Sequence, residues 1–296
     1  MQSRYAAMAL AVGTVLSMSV PANAGQERPR TPWGTPDLQG IWNNSTTTPL
    51  EQMTEEEIAQ GRAAQRPVIE ATRGTGAAFP EQRGALEQPS LIVDPPDGRI
   101  SMTTHAVRRL IDRENARAGR GESDSWLDRN SWERCLTRTL PVGMIPNLYN
   151  ANYQIFQTPD YLVLVMEMIH EARIIPLDGR PHAADGIRQW LGDSRGHWEG
   201  ETLVVETTNF RGGESRGTSP NKHLVERFTR INPDRVAYEY TVTDPTVYTA
   251  PFTVMMPFRR TDGPLFEYAC HEGNIGMHGI LAGARELERQ GRELRR

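Results

Sequence analysis

A histidine, which changes charge near neutral pH, set beside a carboxylate is common side-chain equipment for moving a proton. The chain holds 7 histidines, and two stand in such company: His170, followed by Glu171 and Arg173, and His271, between Cys270 and Glu272. His170 and His271 read as acid/base candidates, Glu272 as the carboxylate that fixes an imidazole tautomer, and Arg173 as a partner for an anion or oxyanion. Each also has a plainer reading. His170 fits a hydrogen-bonded core histidine, His271 a surface residue at a strand end, and Glu171 with Arg173 a solvated ion pair. A metal ion needs at least three converging ligands, for which His170, His271 and His278 with Glu272 are the available set. No H-E-x-x-H or paired-cysteine spacing supports it. Gly192-Asp193-Ser194-Arg195-Gly196 matches the Gly-x-Ser-x-Gly of serine hydrolases. That elbow requires a strand before it and a helix after it, and here a candidate strand follows, so Ser194 reads as a turn residue.

These residues must be positioned by strands. Residues 153–157, 161–175, 196–210, 223–231, 236–243, 252–260 and 265–271 are β-branched and aromatic runs separated by local turns such as Thr158-Pro159-Asp160 and Asn232-Pro233-Asp234. Such spacing predicts an antiparallel up-and-down meander, closed into a barrel or curved into a sandwich so that strand edges are hidden. No βαβ alternation appears, which excludes a doubly wound nucleotide-binding sheet and gives no reason to expect a nucleotide cofactor. Along 161–175 one face carries Leu162, Leu164, Met166, Met168, His170, Ala172 and Ile174. Free of formal charge, it is expected to face inward and to take His170 with it. Met166, Met168, Tyr238, Tyr240 and Phe258 are candidate walls of an apolar ligand pocket, with core packing as the plainer reading.

The N-terminal half reads differently. Arg4, the apolar run 6–20, Pro21 and Ala22-Asn23-Ala24 follow the charged, apolar, small-residue order of a secretory signal, with cleavage expected after Ala24. That run is shorter than the roughly 20 residues needed to span hydrocarbon, so no stable membrane insertion is expected. Residues 25–296 are expected to form one β-rich domain: 25–152 an N-terminal strap, first strands, short helices and a loop; 153–272 the meander; 273–296 a C-terminal loop and helix. Gly40-Ile41-Trp42 opens the first strand. Thr54 with Glu57 forms a capping box for a short helix reaching about Gln65, and 66–88 is a glycine-rich loop. Leu91-Ile92-Val93 runs as a strand into the turn Pro95-Pro96-Asp97-Gly98, and residues 106–118 are a solvated helix. Cys135 and Cys270, an even count in an exported chain, are expected to form a disulfide. A net charge of −4 and a pI of about 6.0 offer nothing to nucleic acid.

Two resemblances add to this reading. Gly40-Ile41-Trp42 resembles the G-x-W that opens the lipocalin barrel, which implies a covering arginine on a late strand, Arg259 or Arg260. The segments TPDLQGIW, LIVDPPDGRI, QTPDYLVLVMEMIHEARIIPLDGRPH, WLGDSRGHWEGETLVVETTNF, HLVERFTRINPD and FEYACHEGN resemble a large family of uncharacterised exported bacterial proteins. That resemblance implies export and carries no activity to any residue.

The expected function is a periplasmic enzyme acting on a small apolar or aromatic molecule by general acid/base chemistry of the lyase, isomerase or hydrolase type. Two alternatives stand beside it: a non-catalytic, lipocalin-like carrier of a hydrophobic ligand, and a metal-dependent hydrolase or lyase.

Overall fold

The computed structural model describes residues 28–60, 85–117, 123–147, 149–212 and 219–291. The expected signal segment 1–24, the end of the helix near Gln65 and most of the loop 66–88 lie outside the described residues. Ten strands follow in chain order: β1 (Gly40–Asn43), β2 (Ile92–Asp94), β3 (Asn152–Gln157), β4 (Tyr161–Met166), β5 (Ala172–Pro176), β6 (Asp193–Glu199), β7 (Thr202–Thr208), β8 (His223–Asn232), β9 (Arg235–Thr243) and β10 (Phe252–Thr261). Helices are few: α1, helical over residues 55–60, α2 (Thr104–Arg117) and α3 (Ile275–Arg289). The capping box forms, with Thr54 N donating to Glu57 Oε2 at 2.7 Å and Glu57 N donating to Thr54 Oγ1 at 3.2 Å. No helix among the described residues is long and apolar enough to cross a membrane.

The strands form one antiparallel sheet in the order β5-β4-β3-β1-β10-β9-β8-β7-β6, with β2 paired to β10 off that path. The architecture is therefore mainly β, an antiparallel meander with few short helices, one of them C-terminal. The run 265–271, expected as a last strand, makes no ladder; it is an irregular strap leading to α3. It cannot extend the sheet beside β10, because β1 already occupies that side of the strand end through Ile41 opposite Thr261. Ser194, expected in a turn, lies inside β6.

The two end strands of the path, β5 and β6, share no hydrogen-bonded ladder, so the sheet is not closed, yet their side chains meet across the gap. Nine strands lie on the path, each antiparallel to its neighbour, so β5 and β6 must point the same way. Their contacts agree: Arg173 reaches Ser194, and a Cβ added at Gly196 would meet Ile175 and Leu177 at 3.2 and 2.6 Å. A parallel pair cannot be joined by a hairpin. The chain after Leu177 must instead travel back along the sheet before β6 can begin at Asp193.

Alternation fills the interior. Tyr238, Phe258, Phe228 and Tyr153 are fully or almost fully buried, and Phe258 lies 5.0 Å from both Tyr153 and Tyr238 between ring centroids. Tyr240, Met166 and Met168 are buried too. The five residues expected to wall a pocket thus pack in the core. Trp42 is also buried, its Nε1 donating to Leu38 O, and a guanidinium does cover its ring. That guanidinium belongs to Arg230 on β8, 4.6 Å from the ring centroid, and not to Arg259 or Arg260. Alternation explains Arg230 and Arg259: Leu224, Glu226, Phe228 and Arg230 are the inward set of β8, while Arg259 sits on the outward set of β10 beside inward Phe258; Arg260 shares the parity of Phe258 but is exposed at the strand end.

Gln157 holds the N-terminal strap through Leu38 N and Pro36 O. A covering lobe, residues 132–147, is tied to the core, with Asn44 Nδ2 donating to Met144 O and Tyr153 OH to Gly143 O. The expected disulfide joins Cys135 in that lobe to Cys270 in the C-terminal strap. Closing a loop of 135 residues contributes about 4–5 kcal/mol in the chain-entropy picture.

Candidate functional site

The sequence clusters around His170 and Arg173 are separated by a single tight turn. β4 sends Leu162, Leu164 and Met166 inward, and β5 pairs back onto it with Leu164 opposite Arg173 and Leu162 opposite Ile175. Opposed residues share a face. Arg173 and Ile175 therefore point inward, and Ile174 is 66% exposed. Between the strands, a 3₁₀ turn over Met168–His170 holds Ile169 and His170 at φ of 63° and 57°. Strand alternation does not run through such a turn, so the parity read from 161–175 inverts. His170 is exposed instead of facing the interior, and Arg173 is buried instead of being solvated beside Glu171.

Inside, both terminal nitrogens of Arg173 meet charge and hydroxyls, while its buried Nε has no hydrogen-bond partner. Its Nη1 and Nη2 donate to the two oxygens of Glu226 at 2.9 and 2.6 Å, and Nη2 also donates to Ser194 Oγ at 3.1 Å. Tyr238 OH donates to Glu226 Oε1 at 2.7 Å, and Ser194 Oγ and Thr207 Oγ1 are 3.0 Å apart. Burial acts to lower the Arg173 pKa, but the Glu226 carboxylate outweighs it and the net direction is upward. Burial drives the Tyr238 phenol well above its ordinary value. A guanidinium gripped at both ends by a buried carboxylate is a clamp for the β5/β6 seam, not a free oxyanion partner.

The remaining expected site residues are not brought together. His271, Glu272 and His278 are exposed on the C-terminal strap and at the start of α3. Among the described residues no group of three or more His, Cys, Asp or Glu side chains is placed to hold a metal ion, so His170, His271 and His278 do not form the metal set.

The structure instead builds a histidine–carboxylate pair that sequence reasoning missed. The stretch between β5 and β6 returns along the sheet and carries His182 onto Asp193 at the first position of β6. His182 Nδ1 lies 2.9 Å from Asp193 Oδ2. The same oxygen accepts from Ala183 N at 2.9 Å, and Oδ1 accepts from Arg195 Nη1 at 2.8 Å. Burial acts to raise the Asp193 pKa, but these three donors prevail and hold it below the usual carboxylate range. Gly192 makes the approach possible: its φ is +71°, and a Cβ there would sit 2.6 Å from Thr208 O. Asn209 fixes the returning chain by donating from Nδ2 to Ala183 O at 2.9 Å.

An ionised carboxylate on Nδ1 favours the tautomer with its proton on that nitrogen, leaving the Nε2 lone pair outward. The His182 side chain is 28% exposed, so Nε2 is within reach of a small molecule. Periodicity gives no hint of this pair, because His182 lies in a polar, turn-rich stretch and meets Asp193 only through the fold. The available signal is the Gly192-Asp193-Ser194 stretch itself, where the serine draws attention away from the aspartate beside it.

No family model matches the chain, and comparison with curated proteins finds no match. Among solved structures, the chain is similar to the crystal structure of a mutant of the fluorescent protein UnaG at 15% identity, with a TM-score of 0.25, over 38% of this chain and 72% of that one.

Proposed function

We propose that the protein is an exported enzyme that acts on a small molecule by general acid/base chemistry, with His182 as the proton-transfer group and Asp193 as the carboxylate that orients it. The observation that carries this reading is the 2.9 Å contact from His182 Nδ1 to a carboxylate saturated by Ala183 N and Arg195, on a ring still open to solvent. Such a base can abstract a proton from a substrate carbon or from water and return it to a leaving group, which covers lyase, isomerase and hydrolase reactions. The disulfide fits an oxidising compartment and supports export.

The test is a panel of esters, lactones and enolisable carbonyl compounds, assayed with wild type, His182→Gln and Asp193→Asn, with binding measured alongside turnover. Loss of a positioned base should lower kcat by about 100-fold or more in His182→Gln, and Asp193→Asn should lose activity in the same direction. Turnover at the wild-type level in a folded His182→Gln protein contradicts the assignment. Binding without turnover in wild type favours the carrier.

A further inference from the structure

We infer that the covering lobe holds a second site, built on Arg138, for a small aromatic carboxylate. The inference does not depend on the His182 reading.

Several buried and half-buried arginines among the described residues are matched to acceptors. Arg173 meets Glu226, Arg195 meets Asp193, and Arg230 donates to the carbonyls of Asp37, Asn232 and Pro233. Arg138 is half-buried and differs. Its Nη1 donates to the neutral amide oxygen of Asn147 at 2.7 Å, and no carboxylate lies within ion-pair distance of its guanidinium among the described residues. Glu171 is close, yet it accepts from the Arg138 backbone N at 3.2 Å and not from the guanidinium. None of the Arg138 donors is among the buried atoms lacking a partner, so its unused N–H groups open to solvent. Desolvation lowers its pKa, the direction expected of a cation without a counter-ion.

The surroundings are flat and aromatic. The guanidinium carbon lies 4.5 Å from the Trp132 ring centroid. Trp132 Nε1 donates to Tyr268 OH at 3.3 Å, which ties that wall to the C-terminal strap, and the phenols of Tyr149 and Tyr268 are within electrostatic reach of Arg138. Tyr149 is 39% exposed. The nearby disulfide holds the strap against the lobe, so the aromatic walls are fixed relative to the guanidinium. A fork of N–H donors selects a planar carboxylate, and rings on its flanks select a planar apolar body. An aromatic monocarboxylate satisfies both, whereas an aliphatic acid meets only the first and an aromatic alcohol only the second.

The test is calorimetric titration of the full-length mature protein with trans-cinnamate, cinnamyl alcohol and acetate. Wild type should bind cinnamate at least about tenfold more tightly than either control. Arg138→Gln should lose about tenfold or more for cinnamate with little change for the alcohol, and Arg138→Lys should recover only part. Tyr149→Leu, at an exposed position, should weaken cinnamate several-fold while leaving the thermal midpoint in place. Should Arg138→Gln fail to fold, Tyr149→Leu and the three-ligand comparison in wild type still decide. Cinnamate binding no tighter than the alcohol, no cinnamate binding at all, or full cinnamate affinity in folded Arg138→Gln would each overturn the site.

Discussion

At the residue scale, the sheet places opposite demands on two neighbouring polar groups. Asp193 and Ser194 are neighbours on β6, and strand alternation sends them to opposite faces. Ser194 joins the sealed cluster of Arg173, Glu226 and Tyr238, whereas Asp193 meets the half-exposed His182. The first arrangement is structural, and its energetics follow from burial. Removing one partner of a buried ion pair leaves an uncompensated charge, so Arg173→Met should cost about 3–5 kcal/mol in urea denaturation. The double variant Arg173→Met, Glu226→Leu should recover most of that loss, because well-packed apolar side chains replace such pairs at little cost. A single variant as stable as wild type would show that Glu226 is not held by Arg173. From sequence alone Glu171 is the nearer partner for Arg173, since they stand two residues apart; only the turn before β5 reveals that Arg173 faces away from it.

At the scale of elements, the β4 turn β5 unit shows why alternation is legible for strands and misleading across them. Each run from Asn152 to Thr261 carries its own inward set; β4, β8, β9 and β10 fall where a period of two places it, and β3 and β7 each bury one residue off that period, Asn152 and Val204. Met168 and Ile169 are buried in the connecting turn and so extend the apolar pattern without belonging to a strand. Apolar character alone cannot separate a buried turn from a buried strand. The inverted parity has a sharp consequence. Ile174→Lys, on the outer face, should change stability by no more than about 0.5 kcal/mol, whereas Ile175→Lys, fully buried, should cost more than about 4 kcal/mol. Equal losses in chemical denaturation would contradict the register of β5. The strap at 265–271 departs from expectation for a related reason: its residues are compatible with a strand, but the neighbouring strand β10 is already paired on both sides.

At the scale of the molecule, an odd number of antiparallel strands leaves one seam where neighbours run parallel, and that seam shapes everything beside it. The meander, the disulfide and the first-strand tryptophan are legible in the sequence because each depends on local pattern or residue count. The seam is not, since strand number decides it. The candidate site is hidden with it, for the chain between β5 and β6 must travel back along the sheet, and in doing so delivers His182 to Asp193. The 15N long-range correlation spectrum of the assigned His182 ring tests this delivery most directly, in wild type and in Asp193→Asn at a pH where the imidazole is neutral. A ring with its proton fixed on Nδ1 in wild type, relaxing to a mixture of tautomers in Asp193→Asn, is the expected result. A proton on Nε2, or the same mixture in both proteins, would contradict an imidazole oriented by Asp193 for proton transfer.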